Sequence, residues 1–308
     1  MQIKNRYLDL KTIYKYILLV VITTIIFIMV SSLLPYSEGF KASARSGNPS
    51  AIVYVLITVG WVCLAITFII KHSPWKAPRL SASLIFSLFF VYSFMAQIET
   101  YFFRSAFRIL TNKDIFLIMI SNGVIVFSGV PLGVKLFGKN QRSESVNPAK
   151  NLLTFSFPEL MIKLSLIGVG YMIIYFVFGY YVAWQVKDLR VFYSGHPEDN
   201  GFISVLANNF HRNPVIYPFQ WVRGILFGFF VLPLVLMFKE RPRVLLISLI
   251  LVFLSLGISL IIPNFLFPDT VRWAHFAEMG TSMIVFAIIV WFVYEKLDFN
   301  VSTKLRPT

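Results

Sequence analysis

Four residues able to do chemistry, Arg272, His275, Glu278 and Ser282, recur at intervals of three, three and four inside an otherwise apolar stretch. On an α-helix that spacing places all four on one broad face. Tyr217, Gln220 and Arg223 open a second apolar run, and Gln97 and Glu99 close a third. The types suit a polar site: His275, Glu278 and Glu99 as groups that exchange protons or catalyse, and Arg223, Gln220, Arg272 and Gln97 as groups that bind a ligand. The two arginines could hold a phosphate or other anionic head group in fork geometry. A His and two carboxylates would also suit zinc or iron, but HxxE arises often by chance and HExxH is absent, so no metal site and no cofactor is expected.

The elements that must position these residues are membrane spans. Of 308 residues, 57% are hydrophobic and only 14% charged, and the mean hydropathy is +0.73. That balance excludes a water-soluble globular protein. Eight apolar runs each have the roughly 20 residues needed to cross about 30 Å of hydrocarbon. They lie at 13–34, 51–70, 80–103, 115–137, 160–184, 216–238, 244–262 and 273–294. The fold class is therefore an all-α polytopic membrane protein, a bundle of about eight transmembrane helices. Residues 101–110 alternate Phe102, Phe103, Phe107 and Leu110 with Arg104 and Arg108, the pattern of a short interfacial helix after the third span. The organisation expected is four spans in 1–137, a cytoplasmic linker loop at 138–159, and four spans in 160–308 that include an external loop at 185–215. No internal repeat relates the halves.

Charge sets the orientation. The 28 Lys and Arg give a formal net charge of +14, yet they flank the apolar runs instead of forming a basic stripe, which argues for topology and against nucleic acid. The side holding the termini, the 71–79 and 239–243 turns and the 138–159 loop, with the adjacent Lys135, carries 17 basic and 6 acidic residues, against 9 and 6 on the other side. The larger excess belongs in the cytoplasm. Both termini are expected there, in a membrane of bacterial cytoplasmic type. Ala42-Ser43-Ala44 resembles a signal-peptidase site, but the preceding run of about 22 residues is too long for a cleaved signal, so an uncleaved anchor is expected. Cys63 stands alone, so no disulfide and no CxxC motif forms.

By rise per residue, Glu278 should lie about 10 Å below the external surface. Gln97, Glu99, Gln220 and Arg223 come to the same leaflet, while the other halves of these helices are Phe, Ile, Leu and Val. Ionisable groups at such depth are costly and suggest function. The competing reading is packing: Arg223 could pair with Glu278 or Glu99 only to hold helices together, and Arg272 could snorkel. Ser128 to Gly133 should break or kink span four, and Pro233 span six. Gly224 and Gly228 form a GxxxG suited to a close helix contact. His196, Glu198, Asp199 and His211 read as a solvated loop.

No P-loop, GxSxG elbow, kinase set or CxxCH motif is present. The leading functional reading is an outer-leaflet pocket that binds or processes an amphiphilic, anionic ligand, a lipid or lipid-linked molecule, with membrane lipids as partners. The alternatives are a permease for a small solute using a proton-coupled Glu/His site, and a non-catalytic subunit of a membrane complex. A polar lining through the inner half of the bundle would favour the permease. The sequence sets no oligomeric state.

Overall fold

The computed structural model describes residues 10–45, 51–139, 155–198 and 200–297. Lys4, Arg6, Asp199, most of the 138–159 loop and the chain beyond Leu297 lie outside the described residues. Eight helices are long and apolar enough to cross a membrane: Leu10–Leu33, Ala51–His72, Arg79–Phe102, Asn112–Leu136, Phe157–Ala183, Ile216–Phe238, Pro242–Ile261 and Asp269–Lys296. They are numbered here as spans one to eight. No strand occurs among the described residues. The protein is an integral membrane helical bundle.

Local chemistry sets the span ends. Thr111 caps span four in a capping box, its side chain accepting from the Asp114 backbone N–H while Asp114 bonds the Thr111 N–H. Ser156 caps span five by accepting from the Glu159 N–H, with Pro158 in the first turn. Pro242 likewise begins span seven. Asp114 also accepts from the Ser37 N–H and hydroxyl at 2.8 and 2.7 Å, tying the segment after span one to the start of span four.

Spans one, two and four pack together, as do spans five to eight, and spans three and seven join the two groups. One hydrophobic core runs through both halves. The closest helix contact is between spans five and six. A Cβ at Gly224 would stand 2.6 Å from Tyr171 Cβ and 2.7 Å from Gly168 Cα, so only glycine fits there. Span one exposes Ile17, Val21, Ile25 and Met29, as a helix facing lipid does.

The expected breaks in spans four and six do not form. Both helices run unbroken through Pro131 and Pro233; proline is tolerated inside spanning helices. Irregularity sits elsewhere, in two wide π turns, Phe89–Phe94 at the middle of span three and Gly179–Ala183 at the end of span five. In the first, Ser93 donates to the Met119 carbonyl at 2.6 Å. Span three itself continues to Phe102, so the short helix that follows is a single 3-10 turn, Arg104–Ala106, with Phe107 buried and Arg108 exposed. The 185–215 segment is more ordered than a loop. It holds two helices, Lys187–Ser194 and Phe202–Arg212.

Candidate functional site

Spans one, three, five and seven finish, and spans two, four, six and eight begin, at the end of the bundle away from Leu10 and Lys296; this is the far end below. A cavity of about 1010 Å³ opens there. Its walls come from the ends of six spans, from both helices of the 187–212 segment and from the turn after span seven. Gln97, Glu99, His275, Glu278 and Ser282 all line it.

Arg223 sits behind this wall, fully buried at 0% exposure. Its Nη1 donates to Glu99 Oε1 at 2.8 Å and to Gln220 Oε1 at 2.9 Å, and its Nη2 donates to Glu99 Oε2 at 2.7 Å. The rings of Tyr171, Phe219 and Phe227 surround the guanidinium at 5.4 to 5.8 Å. This bidentate fork fixes both oxygens of Glu99, whose side chain is 28% exposed and reaches the cavity. Gln220 and Arg223 lie one turn apart on span six, so the glutamine holds the guanidinium in place.

A second hydrogen-bonded set faces the same cavity from span eight. His275 Nδ1 lies 3.1 Å from Glu278 Oε2, and His275 Nε2 lies 3.0 Å from the Tyr193 hydroxyl on the Lys187–Ser194 helix. In the tautomer whose Nδ1 donates to Glu278, Nε2 accepts from Tyr193. Burial, and then the Glu99 and Glu278 charges, push the Tyr193 phenol above its ordinary value, so it keeps its proton and donates. A carboxylate that orients an imidazole, whose other nitrogen reaches a hydroxyl, can move a proton across the cavity wall. Thr270 donates to Asp188 at 2.7 Å, a second tie between span eight and the same short helix.

The structure thus brings together Gln97, Glu99, His275 and Glu278 at the cavity, with Gln220 and Arg223 directly behind. It does not bring Arg272 to them. That guanidinium donates to the Leu260 and Ile261 carbonyls and to Asp269, closing the turn between spans seven and eight. Neither arginine lines the cavity, and the terminal nitrogens of both are taken by protein acceptors, while the buried Arg223 Nε has no partner, so the two do not converge on one open anion position. Glu99 is engaged by Arg223, and His275 and Glu278 form a separate hydrogen-bonded set in the same cavity. His196 and Glu198 are exposed outside the helices, as expected of a solvated loop, and they border the cavity mouth.

The floor is aromatic. Tyr171 lines the cavity near the middle of span five, and its ring meets Phe227 and Phe286 at 5.1 and 5.0 Å; these two and Phe253 pack on one another at 5.0 to 5.8 Å. All three phenylalanines are fully buried. The cavity's lining residues stop at this level.

Comparison with protein families, with curated proteins and with solved structures finds no match. The site's reading therefore rests on its own geometry. Sequence reasoning missed Tyr193, since nothing in the 185–215 segment marks it as the residue that meets span eight. It also missed Tyr171 and Tyr175, which share a helix face four residues apart and both line the cavity. Two phenols at that spacing in an apolar run were the available signal.

Proposed function

We propose that this protein binds an amphiphile at the far end of the bundle, with the polar head among Gln97, Glu99, His275 and Glu278 and the apolar part against the aromatic walls. The observation that carries this reading is the cavity itself: large, lined by apolar and aromatic side chains with polar groups set among them, and lined by nothing below Tyr171. A ligand of that volume class fits a pocket with mostly apolar walls and few convergent polar groups. The aromatic floor speaks against a polar path through the bundle, so the permease reading is second. The His275–Glu278–Tyr193 set gives the site a means to exchange a proton with its ligand.

The basic excess at the opposite end supports placing the cavity in the external leaflet and both termini in the cytoplasm. Reporter fusions test the orientation: alkaline phosphatase joined at Asn200 should be active, and an inactive fusion there would reverse it. Photo-crosslinking tests the binding reading. A diazirine-bearing lipid incubated with the protein in membranes should label cavity-wall peptides such as those holding Tyr175 or Phe103, and Glu99→Gln should cut that labelling. Labelling confined to span one, which faces lipid, would sink the reading.

A further inference from the structure

The charges around the cavity constrain the head group it can take, and this inference rests on the amphiphile reading above. Apart from tyrosines, the ionisable side chains in the lining among the described residues are Glu99, Glu198, Glu278, His196, His275 and Arg212. Glu99 already has both oxygens on Arg223. His275 and Glu278 together carry no net charge when the imidazole is protonated and one negative charge when it is not. The deep part of the site is thus neutral or faintly negative. A phosphate or carboxylate head would meet no cation in the deep lining, because Arg223 and Arg272 are buried behind the wall with their terminal nitrogens on protein acceptors, and Arg212 is exposed at the mouth. Desolvating an unmatched anion at that depth is costly. A fixed cation gains little from carboxylates that already have partners.

The groups that remain are amides and rings. Gln97 is only 8% exposed, lines the cavity, and its Oε1 has no hydrogen-bond partner. Asn122 and Asn209 stand in the same walls. An amide offers an acceptor and two donors side by side, which matches adjacent hydroxyl groups that each give and take one hydrogen bond. Tyr175, Trp184 and Phe103 add flat apolar faces on which the C–H face of a sugar ring can pack. We infer that the ligand is an amphiphile with a neutral, polyhydroxylated head, a glycosyl or polyol lipid, and that Gln97 is a residue that selects it.

Three amphiphiles with one chain and different heads test this on the full-length protein in nanodiscs: decyl maltoside, decyl phosphate and decyl trimethylammonium. Trp184 in the wall makes intrinsic fluorescence the readout. Decyl maltoside should bind at least about tenfold more tightly than the charged pair, and Gln97→Leu should weaken it by about tenfold, the effect of one or two lost hydrogen bonds. Asn122→Ala, at a less buried position, supplies the same readout if Gln97→Leu does not assemble. If a charged head binds best and the wall variants weaken it, the neutral-head inference is overturned while the amphiphile site stands. If no head group shows binding that either variant weakens, both fall.

Discussion

Two buried ion pairs lie at opposite ends of this bundle, and their surroundings differ in a way that separates support from function. At the near end, Lys163 reaches Glu159 at 3.1 Å on its own helix, the Tyr294 carbonyl at 3.2 Å and the Phe155 ring at 4.3 Å. Lys163 and Glu159 are both buried, and neither lines the far-end cavity. Such a pair staples span five to span eight. At the far end, Arg223 reaches across from span six to Glu99 on span three, and the carboxylate it fixes still faces open space. One pair is closed on all sides, whereas the other leaves one polar surface for something else to meet. A buried charge in a membrane helix therefore says little until its unshared side is known.

The largest effect that could break this contrast is at Glu99. Glu99→Ala leaves Arg223 buried without its anion and should cost about 3–5 kcal/mol in detergent unfolding. Replacing both with leucine should recover part of that loss; no recovery would mean that Arg223 has another partner. Next comes Gly224→Ala, which forces spans five and six apart and should cost about 1–3 kcal/mol, seen as a lower Tm. Lys163→Met strands a buried carboxylate too, but Glu159 stays in the first turn of span five, where the helix dipole favours it, so the cost should be smaller, about 2 kcal/mol. It should leave lipid labelling unchanged, and a drop in labelling would erase the distinction between the two pairs. Smallest in stability is His275→Ala, at about 1 kcal/mol, because the contacts it gives up to Tyr193 and Glu278 face the cavity, where water can replace them. Its effect should appear in labelling instead, and a variant that loses stability but keeps its labelling would recast His275 as a packing residue.

Much of the architecture was legible in the sequence, because lipid demands long apolar runs. Span six was placed at its observed bounds, 216–238, and the others differ from the expected bounds by a few residues. The polar level of the site was legible too, since Gln97, Glu99, His275 and Glu278 do share one cavity. Which groups pair was not. Glu99 and Glu278 were equal candidates for Arg223, and choosing between them needs the rotation of each helix about its axis. Helices that are apolar all round carry no stripe from which that rotation can be read. Arg272 illustrates the same limit: on the sequence it shares a face with His275, but its long side chain bends back to the carbonyls of the preceding turn.

The wide turn at Phe89–Phe94 makes span three sensitive to length in a way that its composition hides. One residue of helix corresponds to a rotation of about 100°. A wide turn carries one more residue than ordinary helix over nearly the same rotation and rise. Were it to tighten into ordinary helix with no residue lost, everything after it, Gln97 and Glu99 included, would swing by roughly a quarter-turn relative to span six, and Glu99 and Arg223 would no longer face each other. Deleting one residue within the turn lets the helix close up with both still facing nearly as before, so the loss of one codon inside Phe89–Phe94 is milder than the gain of one elsewhere in the span.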